Sequence, residues 1–232
     1  MTKIKKIIPT ALLLTSISSA ALADNWNVGA SASYGNIDGT ARDTQVGPTG
    51  NVAQTRGATS GDADFPFGSI FLEYAKTMNN NLDIIVGLDF VPLKAEIDSK
   101  SFADQSVETA DAANTGTRKA KLEIENYATL YLQPTYKIGG GTAVFGKIGY
   151  VHGDVKISGS NTATGSTINA RDGLVGYVVG LGAQHNINKN VFVRLEGSYT
   201  DHDTVTATDS KGTKFTADSE LIAGKLSIGY SF

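Results

Sequence analysis

LIAGKLSIGYSF, residues 221–232, closes the chain and reads as one strand with two unlike faces. Ile222, Gly224, Leu226, Ile228, Tyr230 and Phe232 fall on one side, and Ala223, Lys225, Ser227, Gly229 and Ser231 on the other. A period of two with an apolar face predicts a strand. The alternation runs to the final residue, and two aromatic rings share the apolar face. Such a strand fits a wall whose apolar side meets hydrocarbon, with rings at the polar boundary of a bilayer. A closed barrel is then required, because a backbone in lipid must satisfy its own hydrogen bonds.

The same alternation recurs upstream. Trp26 to Tyr34 and Gly68 to Tyr74 give two strands. A third starts at Leu82 and changes parity after Pro92, which predicts a bulge near a rim. Lys121 to Tyr136, Val144 to Val151, Leu174 to about His185 and Val191 to Thr200 follow. With the closing strand the count is about eight. Short polar turns such as Met78 to Asn81, Gly139 to Gly141 and Asn186 to Asn190 alternate with long segments rich in Gly, Thr, Asp and Ala. The long segments, Asp38–Asp64, Ser99–Arg118, Gly153–Arg171 and Asp201–Ser219, read as loops. The expected fold is therefore all-β, an eight-stranded antiparallel transmembrane barrel, with the long loops outside and the short turns periplasmic.

The first 23 residues read differently. Lys3, Lys5 and Lys6 precede a short apolar stretch, then Ala21-Leu22-Ala23 before Asp24, the pattern of a signal peptide cleaved between Ala23 and Asp24. The stretch carries Pro9, Thr10, Thr15 and Ser16 and is too short for a spanning helix. The division is a signal peptide at 1–23 and a barrel at 24–232. Three of the 20 basic residues lie in that leader and none of the 23 acidic ones, so the remainder carries −6, a sign that argues against nucleic acid as a partner. The chain has no Cys, so disulfides do not staple it.

Turning the apolar face to lipid makes the opposite face a lumen. It holds Glu73, Asp83, Asp89, Glu123, Glu125, Lys147, Arg194, Glu196 and Lys225. A basic residue moved to the lipid side would cost roughly 2–4 kcal/mol near the bilayer middle, which fixes the register. Arg194, Lys147 and Lys225 are expected to pair with the carboxylates in a plug, with Arg194–Glu123 the favoured pair. An eight-stranded barrel is just wide enough to be filled by side chains, so an open pore is disfavoured. A soluble β-sandwich or lipocalin-like barrel is excluded by the same pattern, since its core face would carry the charges.

The terminal strand, its Tyr230 and Phe232, and the segments Ala128–Ile138, Gly146–Gly153 and Gly180–Asp203 resemble the small bacterial outer-membrane β-barrels: the OmpA-like membrane domain, the opacity-type proteins and porin-family surface proteins. That resemblance implies that Tyr230 and Phe232 act as an assembly signal read by the outer-membrane assembly machinery. It implies residence in the outer membrane among lipid and lipopolysaccharide, with no cofactor, and a monomer is expected. Arg118, Lys119, Lys121, Lys156 and Arg171, near the expected outer rim, are candidates to meet lipopolysaccharide phosphates through charge-assisted hydrogen bonds.

Three roles are open to such a chain. The first is a structural or surface-interaction, adhesin-like role through the outer loops. The second is a narrow channel for small solutes or ions through the charged lumen. The third, a lipid-modifying enzyme, needs a Ser nucleophile beside a His base. His152, His185 and His202 lack the His-x-Ser spacing of the barrel deacylases, so no catalytic residue is assigned. Asp201-His202-Asp203 reads as a solvated loop segment rather than a metal site.

Overall fold

The computed structural model describes residues 24–45, 54–55, 59–93, 95–106, 114–161, 165–210 and 214–232. The leader at 1–23, with Ala21 and Ala23, lies outside the described residues; Asp24 opens the first strand. Eight long strands form a ring: β1 (Asp24–Gln45), β2 (Thr59–Asn79), β3 (Leu82–Val91, continued by Ala95–Ser106), β4 (Asn114–Gly139), β5 (Thr142–Asn161), β6 (Ser166–Asn186), β7 (Val191–Thr208) and β8 (Lys214–Ser231). Gln54–Thr55 adds a two-residue pairing at the end of β1. Every neighbour is antiparallel and adjacent in sequence, and β8 returns to β1 to close the barrel. The expected eight-stranded fold is borne out.

Alternation sorts the two faces. Trp26, Tyr74, Tyr136, Tyr230 and Phe232 ring the outer wall at one level. Tyr34, Tyr150, Tyr177 and Tyr199 ring it at a second, eight residues along β1 from the first. Between the girdles the wall is apolar and exposed, with Val86, Leu132, Ile148, Leu181, Leu195 and Leu226 among its residues. Eight residues of tilted strand span about 20 Å, close to the roughly 25 Å apolar band of a membrane barrel.

The four segments expected as loops are corrected in their described parts; 46–53, 56–58, 107–113, 162–164 and 211–213 lie outside the described residues. β1 runs on to Gln45 and β2 begins at Thr59; Ala95–Ser106 pairs with the start of β4; β5 and β6 stay paired up to Asn161 and Ser166; β7 continues to Thr208 and β8 starts at Lys214. The barrel wall thus rises about ten residues past the upper girdle. These extensions hide in the sequence because their outer face meets water and their inner face is apolar only in places, as at Ile37, Val155, Leu174 and Val205, so no continuous apolar face marks them.

The raised wall is not fully zipped. The β2–β3 ladder stops at Ile70–Phe90; above it, among the described residues, β2 pairs with β1 and Ala95–Ser106 pairs with β4. The expected irregularity at Pro92 is present, and β3 breaks between Val91 and Ala95. Opposite it β4 bulges between Glu125 and Ala128, with Asn126 at φ 54°. Asn tolerates this left-handed geometry better than most residues, and its side chain reaches Asp154 at 2.7 Å. A second irregularity, between Ala217 and Ser219, shifts β7 after His202. Each bulge inserts one residue and so reverses which parity points inward.

Candidate functional site: the lumen network and the outer wall

The lumen is organised around Arg194. Its Nη1 and Nη2 donate to Glu73 Oε1 and Oε2 at 2.6 and 3.1 Å, a two-pronged pair with Glu73 at 0% exposure. Glu73 also accepts from Tyr131 Oη at 2.5 Å and Asn27 Nδ2 at 3.1 Å, while Arg194 Nη2 donates to Gln184 Oε1 at 2.9 Å. Phe71, Phe145 and Phe192 surround the guanidinium, with ring centroids 5.1–5.6 Å from its carbon. Buried charge requires such complete pairing.

Glycines make the space for these rings. Phe71 faces Gly29, Tyr131 faces Gly87, Phe145 faces Gly182 and Phe192 faces Gly229, each as a direct cross-strand partner. A Cβ on any of the four glycines would lie 2.2–2.3 Å from a ring atom, well inside contact distance. The rings therefore lie flat over the neighbouring strand, the aromatic cover of strand glycines. Sequence alternation places Gly229 on the non-apolar side of the closing strand; it cannot show which ring covers which glycine.

Two further pairs fill the adjoining levels. Lys147 Nζ meets Glu196 Oε2 at 2.5 Å and sits 4.3 Å from the centroid of the Tyr131 ring. Lys225 Nζ meets Asp89 Oδ2 at 2.8 Å. At the lower mouth Lys137 Nζ and Thr77 Oγ1 both donate to Asp83 Oδ1 at 2.8 Å. Asp83, Lys147, Asp89, Glu196, Lys225, Glu73 and Arg194 all point inward.

Glu123 and Glu125 do not, which corrects their place in the lumen. Ile124 packs inward against Val155, Leu174 and Val205, so its neighbours Glu123 and Glu125 stand on the outer wall. The bulge at Asn126 is the cause: it reverses parity between the lower part of β4, where Tyr131 points in, and the upper part. Arg194 accordingly pairs with Glu73, not with Glu123.

On the outer wall Glu123 meets Lys121 at 3.1 Å and Lys156 at 3.8 Å. Arg171 Nη2 reaches Glu125 at 3.2 Å and Asp154 at 3.0 Å. The hydrogen bond from Asn126, with the Arg171 guanidinium beside it, holds the Asp154 carboxyl below the ordinary carboxylate range. Of the five basic candidates, Lys121, Lys156 and Arg171 meet in this patch; the side chains of Arg118 and Lys119 lie outside the described residues.

The histidines are separate. His152 is exposed on the outer wall, and His185 bonds Thr142 Oγ1 at 3.0 Å beside the inner turn. His202 belongs to strand β7 rather than to a loop, and it is buried in the lumen with Nε2 3.1 Å from Tyr127 Oη and Nδ1 3.3 Å from Ser219 Oγ. Strand alternation turns Asp201 and Asp203 away from it, so the three do not converge. At the closing seam Phe232 and Trp26 exchange backbone hydrogen bonds of 2.9 and 3.1 Å, and the Tyr230 and Phe232 rings stack on the outer wall.

The family model described as "Outer membrane protein beta-barrel domain" matches residues 10–222. No curated protein sequence matches the chain. Among solved structures, the outer membrane protease OmpT of Escherichia coli is 12% identical, with 93% of this chain and 100% of that chain covered at a TM-score of 0.53. The outer membrane protein OprG of Pseudomonas aeruginosa is 15% identical over 90% of this chain and 96% of that one, also at 0.53. The attachment invasion locus protein Ail of Yersinia pestis is 17% identical over 89% and 99%, at 0.43. At these identities the likeness to OmpT and OprG is one of fold alone.

Proposed function

We propose a role for this chain on the premise that it belongs to the outer membrane protein β-barrel domain family and resides in the outer membrane. It is a sealed barrel that works through its outer surface, a structural or surface-interaction protein whose raised β-wall is the contact element. The observation that carries this reading is the filled lumen. Glu73, Gln133 and Val151 are fully buried in it, and three stacked ion pairs cross it. A barrel so filled has no standing path for solute. The wall above the upper girdle, by contrast, holds small polar residues on paired strands, a firm platform for binding.

One observation favours a second reading, a narrow channel. Gln133 Oε1, Ser33 Oγ and Ser69 Oγ are buried without a hydrogen-bond partner among the described residues. Polar groups of this kind would bond water moving through the lumen. We read the chain as non-enzymatic, because its histidines stand apart and both ring nitrogens of His202 already have hydrogen-bond partners.

Conductance decides between the readings. The refolded mature protein in a planar bilayer is expected to be silent, with folding checked by heat-modifiable gel mobility. Cells displaying it should attach to epithelial monolayers better than cells displaying a version with residues 39–60 replaced by a two-residue turn. Discrete wild-type current steps that change in Arg194→Ala would make the channel the leading reading. Equal attachment of both cell types with a silent bilayer would remove the surface role.

A further inference from the structure

The outer wall of β4, β5 and β6 carries two features that the lumen does not explain. Within the apolar band a furrow of about 560 Å³ runs between these strands and the edge of β3, lined by Val86 of β3 and by Leu130, Leu132, Ile148, Tyr150 and Tyr177. A second depression of about 380 Å³ is bordered by Pro134, Val144, Gly146 and Leu181 of the same strands. Gly146 helps open it: a Cβ there would meet nothing within 4 Å. At the upper end of the first furrow the Tyr150 and Tyr177 rings meet edge to face, 5.8 Å apart.

Directly above these rings, on the same three strands and the same face, stands the patch of Lys121, Lys156 and Arg171 among Glu123, Glu125 and Asp154. Register joins it into one surface, since Glu123 pairs with Lys156 and Lys156 with Arg171. The three cations remain accessible, Arg171 at 54% of its side chain. Arg171 meets both carboxylates through Nη2 alone, and a guanidinium has five N–H donors suited to phosphate oxygens. Apolar furrows, a tyrosine pair at the boundary and cations beyond it follow the order of acyl chain, interface and phosphate in an anionic lipid.

We propose that this face holds a phosphorylated glycolipid of the outer leaflet, with its acyl chains in the furrows and its phosphates at Lys121, Lys156 and Arg171. The lipid is an outer-leaflet one because the patch lies on the side of the raised wall, away from the short turns. Its headgroup is large because Lys156 and Arg171 stand six residues, and Lys121 eight by register, past the Tyr150–Tyr177 pair, on the order of 15–20 Å of tilted strand. Held there, the lipid would brace the wall beside the β4 bulge.

The test uses the mature barrel in nanodiscs, with bound lipid read by native mass spectrometry. The probes are lipopolysaccharide, the same material after enzymatic dephosphorylation, and phosphatidylglycerol. Wild type should retain the phosphorylated form. The double variant Lys156→Gln/Arg171→Gln should retain it about tenfold less, the factor that corresponds to roughly 1.4 kcal/mol. Gly146→Leu, which fills the lower depression without touching a charge, should lower retention of both glycolipid forms. Lys189→Gln, in the inner turn, should leave retention unchanged and controls for net charge. Equal retention by wild type and the double variant would overturn the proposal. So would phosphatidylglycerol binding as tightly as the phosphorylated glycolipid, or an equal loss in Lys189→Gln.

Discussion

Consider removal of the Arg194 guanidinium by Arg194→Leu. The pair it forms with Glu73, at 2.6 and 3.1 Å, lies in a site where both side chains are almost wholly buried. At an effective dielectric of about 20, two unit charges about 2.6 Å apart attract by roughly 6 kcal/mol. Desolvation opposes much of that, and breaking one side of a buried pair typically costs about 3–5 kcal/mol because the other charge is stranded. Glu73 keeps its bonds from Tyr131 and Asn27 in the variant, which places Arg194→Leu at the lower end, about 3 kcal/mol. Glu73→Gln strands a cation among three phenylalanine rings and should cost about 4 kcal/mol. The double variant Glu73→Gln/Arg194→Leu leaves no charge behind, so it should fall well short of the sum, with a coupling of about 3 kcal/mol. Urea unfolding from lipid vesicles measures this through Trp26, the one Trp of the chain, which stands in the lower girdle and reports departure from the bilayer. Single variants costing under about 1 kcal/mol each, with coupling within about 0.5 kcal/mol of zero, would refute the reasoning.

Three other outcomes follow from the geometry. Gly182→Val drives a side chain into the Phe145 ring, 2.2 Å from the Cβ position, and should destabilise the barrel by about 1–3 kcal/mol in the same urea assay, whereas Gly197→Val, which meets open space on the outer wall, should change little. Leu181→Arg places a cation on the apolar wall between the girdles and should cost about 2–4 kcal/mol, read as a lower folding yield in thick-chain vesicles and partial recovery in thin ones. Asn126→Gly keeps the left-handed backbone but removes the bond to Asp154, so the Asp154 carboxyl should titrate higher, nearer the ordinary carboxylate range, in a carbon-13 NMR titration. The sign for stability follows from a folded-state value that lies below the unfolded one: wild-type Asp154 stabilises the wall above the unfolded value near pH 3.9 and loses that contribution as pH falls through its folded value. Asn126→Gly should therefore narrow the gap between stability at neutral pH and at pH 3, and an unchanged gap would count against the bond.

The part of the fold inside the bilayer was readable because lipid enforces one apolar face on every strand. Leu82 to Phe90 and Ile222 to Phe232 could hardly pair in any other register. Above the girdle that constraint ends, and residues such as Thr40, Gly61 and Asp62, which lie on paired strands, read as loop because water accepts either face. Parity failed at one place of consequence. A single left-handed residue, Asn126, moved Glu123 and Glu125 from the inside to the outside, and nothing in the alternation of β4 announced it. The inward charges could be gathered by parity, but their partners could not. Glu73 and Arg194 are 121 residues apart, and which carboxylate meets which cation depends on the stagger of the closed ring. The Asn126–Asp154 bond was out of reach for the same reason, since it needs both the bulge and the β4–β5 register.

The seam between β1 and β8 bears on how the barrel comes into being. Ser227 and Ser31, 196 residues apart, touch at 3.2 Å there, and the ladder runs from Asn27–Ser231 up to Thr44–Lys214. Among the described strands every other ladder joins neighbours in sequence and can zip from a hairpin, whereas this one waits for the two ends of the barrel to find each other. Chain closure over such a span is a slow, entropy-limited event, and until it happens both end strands offer bare edges. A permuted gene opened at Gly140, with 232 joined to 24 through a short linker, would make that meeting local and shift the late step to the β4–β5 turn. The order of assembly is thus written in where the chain is cut, while the finished ring stays the same.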